Sequence, residues 1–225
     1  MLRVVSSVVL APLAVAVAYV GGLPFALFST VAASIVLWEW ARLVGNSASG
    51  GLPLAGWLVL GVLYAGVLLV APILLRHDPA LGFVAILVVF AIVWATDIAA
   101  YFAGHAIGGP KLWPAVSPKK TWSGAIGGTL GGVAAGLLVA KLFGLAVSPM
   151  LVLVAIGLSV VAQAGDLLES AVKRHFGAKD ASQLIPGHGG LMDRLDGFLT
   201  AAAAAVMVGL IRGGLEGPAR GLLVW

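Results

Sequence analysis

Cysteine is absent and charge is scarce. Without cysteine there is no disulfide framework and no thiolate metal site. Lys, Arg, Asp and Glu make up only 10% of the 225 residues, against about 25% in a soluble domain. That shortage excludes an ordinary soluble fold. Also missing is any basic run interleaved with aromatics, which argues against nucleic acid as a partner, and the modest net charge of +4 reads as membrane orientation. Apolar residues are abundant instead: 61% are hydrophobic and the mean hydropathy is +1.10. The composition is that of an integral membrane protein, a single domain over residues 1–225, folded as an all-α, polytopic transmembrane helical bundle within the lipid bilayer.

A spanning helix needs about 20 apolar residues. Seven segments qualify, at approximately 4–20, 24–43, 54–75, 80–104, 121–143, 148–168 and 197–213. The first could be mistaken for a signal peptide, but a second apolar run follows at once, so it reads as a membrane helix. The links between segments are rich in Gly, Pro, Asn and Ser, which are turn signals. Glycines at 124, 128, 132 and 136 predict a helix packed closely on a neighbour.

Two connections are long and polar, 105–120 and 169–196, and with seven spans they fall on one side. With the N-terminus cytoplasmic, Arg3, Arg42, Lys111, Lys119, Lys120, Lys173, Arg174, Lys179 and Arg194 are inside. Only Arg76, Lys141, Arg212 and Arg220 are outside. That bias supports a cytoplasmic N-terminus and cytoplasmic polar loops. Trp38, Trp40, Trp113, Trp122 and Trp225 fall near segment ends, where interfacial anchors sit.

The few polar groups inside the spans are informative. A charge at the position of Asp97 costs at least about 2.5 kcal/mol on insertion scales, which makes it a functional candidate. Asp97, Tyr101 and His105 recur every four residues and share a helix face. Ser159, Gln163, Asp166, Ser170 and Lys173 form a second polar stripe, flanked by Glu169 and Arg174. The stripe starts inside the membrane, where polar residues face the bundle interior or a wet cavity.

The stretch KDASQLIPGHGGLMDRLDG, residues 179–197, adds three aspartates, two cations, a histidine and four glycines. Gly187, Gly189 and Gly190 surround His188 and leave backbone amides open to an anion. Carboxylates gathered at one cavity repel unless a cation lies among them. Oxygen donors without cysteine suggest a hard cation, Mg²⁺. In SPKKTWSG, residues 117–124, Lys119 and Lys120 precede a helix start, where phosphate can bind; membrane anchoring explains the two lysines equally well. Together these parts suggest Mg²⁺-dependent phosphoryl or nucleotidyl transfer at a membrane face.

Residues 170–196, SAVKRHFGAKDASQLIPGHGGLMDRLD, carry Ser-x-apolar-Lys-Arg, Lys-Asp, His-Gly-Gly and Asp-Arg-apolar-Asp in order. This resembles the signature of the phosphatidate cytidylyltransferases, also called CDP-diglyceride synthases. LWEWARL at 37–43, TDIAAYFAG, SPKKT and GDLLESAVKR look like the same family. The resemblance implies transfer of cytidylate from CTP to phosphatidic acid, giving CDP-diacylglycerol and pyrophosphate, with Mg²⁺ required and a second cation left open. It implies Asp166, Asp193 and Asp196 as the metal-site carboxylates and Asp97 as a wall of the same cavity. Lys119, Lys120, Lys173, Arg174, Lys179 and Arg194 become candidates for the triphosphate or the phosphatidate headgroup, with Ser170 beside them. His188, Gly189 and Gly190 would form the anion-binding loop. The catalytic part is expected mainly in 94–124 and 159–197. A homodimer and a bacterial inner-membrane location, with the active site facing the cytoplasm, are also implied. Ser123 stands where the family usually has Glu, so no acid is carried over to that position.

Two other readings compete. A cation-coupled transporter would use Asp97, but it leaves the His-Gly-Gly loop and the lysine pair unexplained. Another CTP-dependent lipid phosphotransferase would fit DRLDG, but further aspartates on the following helix are missing.

Overall fold

The structure, a computed structural model, describes residues 2–45, 53–184 and 189–225. Among the described residues the apolar segments fold into eight helices and one short hairpin. In chain order these are α1 (Leu2–Val20), α2 (Gly22–Gly45), α3 (Leu54–Arg76), α4 (Gly82–Ile107), β1 (Lys111–Trp113) and β2 (Ser117–Thr121). They continue with α5 (Trp122–Leu142), α6 (Pro149–His175), α7 (Met192–Gly213) and α8 (Pro218–Leu223). Six of them, α2 to α7, are long and apolar enough to cross a membrane, and α1 adds a shorter apolar stretch, Val9–Val20. The expected all-α polytopic bundle is therefore present, and the chain is an integral membrane protein.

The helices outrun the apolar segments at one end of the bundle. α6 continues through Lys173 to His175, well past the expected limit at residue 168, and α7 begins at Met192 rather than at 197. Hydropathy marks where lipid ends, whereas hydrogen bonding of the backbone continues as long as side chains allow. The whole polar stripe from Ser159 to Lys173 thus lies on a single rigid helix. The polar connection after α4 is likewise more ordered than a loop. It folds as the antiparallel hairpin β1–β2, a feature that the apolar pattern does not announce.

α4 and α5 meet along the glycine row. A Cβ on Gly128 would lie 2.8 Å from the Thr96 carbonyl oxygen, and one on Gly132 would lie 2.2 Å from Thr96 Oγ1. A Cβ on Gly136 would lie 2.5 Å from Ile92 Cγ1. Only hydrogen fits at these positions, so the expected close helix pair forms with backbone against backbone. Because Gly132 has no side chain, Thr96 of α4 reaches past it to Ser159 of α6, with 2.8 Å between the buried hydroxyl oxygens.

Trp40 departs from the expected interfacial role. It is buried in the core, its Nε1 donates to the Trp57 carbonyl at 2.8 Å, and Gly61 of α3 makes room for the ring. Trp38, Trp113, Trp122 and Trp225 remain exposed, as anchors are.

Candidate active site

α6 supplies the main polar face. Ser148 caps its first turn by accepting from Leu151 N at 3.1 Å, and Pro149 opens the helix. Deep in the bundle, Gln163 Nε2 donates to Thr129 Oγ1 at 3.0 Å. One turn further, Asp166 pairs with Lys120 of the hairpin, and Ser170 Oγ lies 3.4 Å from Asp166 Oδ1. At the next turn Lys173, largely buried, pairs with Glu169 Oε2 at 2.9 Å and with Asp193 of α7.

Asp166, Glu169 and Asp196 each offer an oxygen within 4.8 Å of the others. Glu169 is buried, and its Oε1 makes no hydrogen bond. Carboxylates so close together repel unless a cation or proton is shared among them. An all-oxygen donor set of this kind can hold a hard metal ion. The resemblance implies Asp166, Asp193 and Asp196 as the metal set, whereas the structure gathers Asp166, Glu169 and Asp196. Asp193 is engaged elsewhere: Oδ1 by Lys173, and Oδ2 by the amides of Gly190 at 2.8 Å and Ala181 at 2.9 Å. Residues three apart on a helix diverge by roughly 60°. Asp193 therefore lies between Lys173 and the incoming loop, while Asp196 turns toward Asp166 and Glu169.

α7 is held against α6 just past this cluster. Thr200 Oγ1 donates to the Val161 carbonyl at 3.1 Å, and Gly165 leaves the gap that Thr200 fills. The hairpin is closed on the other side by Thr121, whose Oγ1 accepts from Gly124 N at 3.1 Å and caps α5. Ser123 lies 3.0 Å from Thr121 Oγ1 and donates to the Gly108 carbonyl. Ser123 thus ties the end of α4 to the last residue of the hairpin.

The polar groups open onto one cavity of about 1490 Å³. Asp97, Lys119, Lys120, Asp166, Lys173, Asp193, Arg194 and Asp196 line its polar end. Leu10, Phe28, Val31 and Ile35 of α1 and α2, with Trp94 of α4, line the apolar end. Tyr101 and His105 stand on the same α4 face as Asp97, with parallel rings 6.1 Å apart between centroids, and both line the cavity.

The expected site residues divide accordingly. Asp97, Asp166, Asp193, Asp196, Lys119, Lys120, Lys173 and Arg194 are brought together. Ser170 packs behind Asp166. Among the described residues Arg174 and Lys179 are exposed and stand outside the cavity lining, and Arg174 donates to the Ala178 carbonyl at 2.9 Å. Gly189 has φ +83°, and a Cβ there would lie 2.8 Å from Asp193 Oδ2. Gly190 is buried against Glu39. His188 lies outside the described residues.

In the sequence Glu169 is only a flank of the polar stripe, and Glu39 has no role there. Both carried a readable signal. Glu169 is three residues after Asp166 and four before Lys173, and Glu39 is an acid within an apolar span, like Asp97.

Fold and site together define a helical membrane protein with an acidic, lysine-flanked centre at the polar end of an amphiphilic cavity. The model of the cytidylyltransferase family matches residues 47–211, and the chain belongs to that family. It is similar to the phosphatidate cytidylyltransferase of Brucella suis biovar 1 (strain 1330), 40% identical over 250 aligned positions that cover 93% of each chain. It is also similar to the proteins of the same name from Bacillus subtilis (strain 168) and Staphylococcus epidermidis (strain ATCC 12228 / FDA PCI 1200). The Bacillus protein is 40% identical over 149 residues, 64% of this chain and 54% of that protein. The Staphylococcus protein is 47% identical over 115 residues, 51% of this chain and 44% of that protein.

Proposed function

We propose that this protein transfers cytidylate from CTP to phosphatidic acid, forming CDP-diacylglycerol and pyrophosphate for phospholipid synthesis. The observation that carries the reading is the cavity itself. Its polar end combines carboxylates with lysines, and its other end is apolar. A nucleoside triphosphate and a two-chain lipid phosphate need those two ends at once. The catalytic part is then 94–124 with 159–197.

In the reaction a phosphate oxygen of phosphatidate attacks the α-phosphorus of CTP. The bond to the bridging oxygen of the β-phosphate breaks, and pyrophosphate leaves with that electron pair. The attacking phosphate is already ionised near neutral pH, so no strong general base is required. Positioning and charge stabilisation carry the catalysis. Mg²⁺ held by Asp166, Glu169 and Asp196 would neutralise charge on the triphosphate and the leaving group. Lys119, Lys120 and Arg194 face the cavity as the phosphate-binding cations. Lys173 fixes Glu169 and Asp193, and Asp193 in turn holds the amides of Ala181 and Gly190. Asp97 lines the cavity beside these groups.

The protein acts in a bacterial cytoplasmic membrane with this end of the bundle toward the cytoplasm, a reading supported by the lysine and arginine bias of the polar loops. Because the chain has no cysteine, single cysteines introduced at Lys179 and Lys141 can test it. An impermeant maleimide added to intact cells should label position 141 and spare position 179. The homodimer belongs to the same reading and is checked by the protein mass of the detergent-solubilised particle.

The deciding experiment is CTP-dependent conversion of phosphatidic acid by the purified protein in detergent, with Mg²⁺ and with EDTA. Product with Mg²⁺ alone, lost in Asp196→Asn, supports the assignment. A monodisperse protein that makes no CDP-lipid overturns it.

A further inference from the structure

Glu39 is the one acid of α2 and is completely buried. It lies outside the acidic cluster, and its carboxylate is directed at the start of α7. Oε1 accepts from Leu191 N at 2.9 Å and from Ser182 Oγ, and Oε2 accepts from Met192 N at 2.7 Å. α7 needs such a partner, because the residue at its own N-cap position is Leu191, which offers no side-chain acceptor. The first amides of a helix are unsatisfied unless a side chain or water takes them, and a carboxylate there also meets the positive end of the helix dipole. Here the cap comes from a different helix. The approach is tight, since a Cβ on Gly190 would lie 2.6 Å from Glu39 Oε1.

Two consequences follow from geometry. The capped residues Leu191 and Met192 immediately precede Asp193 and lie one turn before Asp196, so the direction of both carboxylates depends on how this turn is held. The same helix α2 also presents Phe28, Val31 and Ile35 to the apolar end of the cavity. One buried carboxylate therefore holds the lipid-facing wall and the acidic helix at a fixed separation.

We propose that Glu39 is a positioning residue of the reaction: by capping α7 from α2 it orients Asp193 and Asp196 toward the cavity without touching substrate. The proposal rests on the cytidylyl-transfer reading. A displacement of about 1 Å in a reacting constellation can cost about 100-fold in rate, and an orienting residue shows this in kcat more than in KM.

The test compares wild type with Glu39→Ala and Glu39→Gln, all purified in detergent, by steady-state kinetics and by amide hydrogen exchange. Gln is the conservative variant: one oxygen can still accept, but its NH₂ faces a backbone donor. Glu39→Ala should lose about 100-fold in kcat with CTP KM changed by less than about threefold. Glu39→Gln should fall between it and wild type. Exchange should quicken in residues 190–195 while the α4–α5 pair keeps its protection. Wild-type kcat in Glu39→Ala, or unchanged exchange at 190–195 in both variants, overturns the proposal. So does equal loss in both variants accompanied by loss of protection across α4 and α5, which would make Glu39 a residue of the fold alone. If Glu39→Ala does not fold, Glu39→Gln decides by the same two readouts. A wild-type protein inactive toward CTP and phosphatidate sinks the cytidylyl reading itself, whereas an active wild type with an indifferent Glu39→Ala sinks only this proposal.

Discussion

The seam between α4 and α5 and the seam between α6 and α7 differ in what they place between the helices. The first is made by removing side chains, so that glycines lie against the Thr96 and Ile92 carbonyls of the facing helix. The second keeps one such contact, Thr200 in the gap left by Gly165, and adds charge beside it, with Lys173 set between Glu169 and Asp193 and with Asp196 turned toward Asp166. In lipid there is little hydrophobic drive between helices, so close packing supplies much of the association. Charged groups add desolvation cost and, at this site, mutual repulsion. The glycine seam is thus a stable frame, and the charged seam is a site held in place by it. Thr96 links the two, because its hydroxyl passes the glycine row to reach Ser159 of α6.

If that division is right, the two seams should fail differently. The largest effect belongs to Asp196→Asn, which should lower kcat by about 10²–10³-fold. Its thermal midpoint in detergent should hold or rise, because one of three crowded carboxylates has lost its charge. A large drop in the midpoint would mean that the charged seam is structural. Next is Gly132→Ala on the frame. Its Cβ would meet Thr96 Oγ1 at 2.2 Å and the Ile92 carbonyl at 2.8 Å, and overpacking of this kind costs about 1–3 kcal/mol. Thermal unfolding in detergent should show that loss, while the Mg²⁺ dependence of the surviving activity stays unchanged. Gly157→Ala is the control on α6, since nothing lies within 4 Å of its Cβ, and it should leave the midpoint in place.

Lys120→Ala tests the border between the seams. Its partner Asp166 is about a third exposed, so the pair adds less than about 1 kcal/mol to stability. Loss of a charge-assisted phosphate contact should instead raise the KM for CTP about tenfold, an effect that initial-rate kinetics would detect. The smallest effect is expected from Thr96→Val combined with Ser159→Ala. Hydrogen bonds between membrane helices average about 0.6 kcal/mol, so the unfolding midpoint should barely shift. A large shift would show that this bond, more than side-chain packing, holds α4 to α6.

Much of this was legible in the sequence because lipid imposes simple rules. Runs of apolar residues marked the spans, and the four-residue glycine spacing marked the close helix pair. The stripe Ser159, Gln163, Asp166, Ser170 and Lys173 could be read as one face, since side-chain direction repeats every 3.6 residues. The rest was hidden for physical reasons. Hydropathy says where lipid ends and not where a helix ends, so the apolar pattern makes α6 and α7 shorter than they are. Strand pairing in the hairpin depends on a partner strand, which no single segment announces. Trp40 has the position of an interfacial anchor, and only the space left by Gly61 on another helix draws it inside.

By itself the sequence determined the class of the protein: an apolar chain that must span lipid as helices, with most of its acids and lysines gathered at one end. That follows from the cost of leaving backbone or charge unpartnered in hydrocarbon. Only the tertiary structure decided which acids meet. Asp193 and Asp196 are equally plausible ligands by spacing, yet α6 presents Lys173 to the first and Asp166 with Glu169 to the second. Glu39, some 150 positions away in the chain, reaches α7 because α2 packs beside it. Spacing within a helix gives direction, but distance between helices is set by packing.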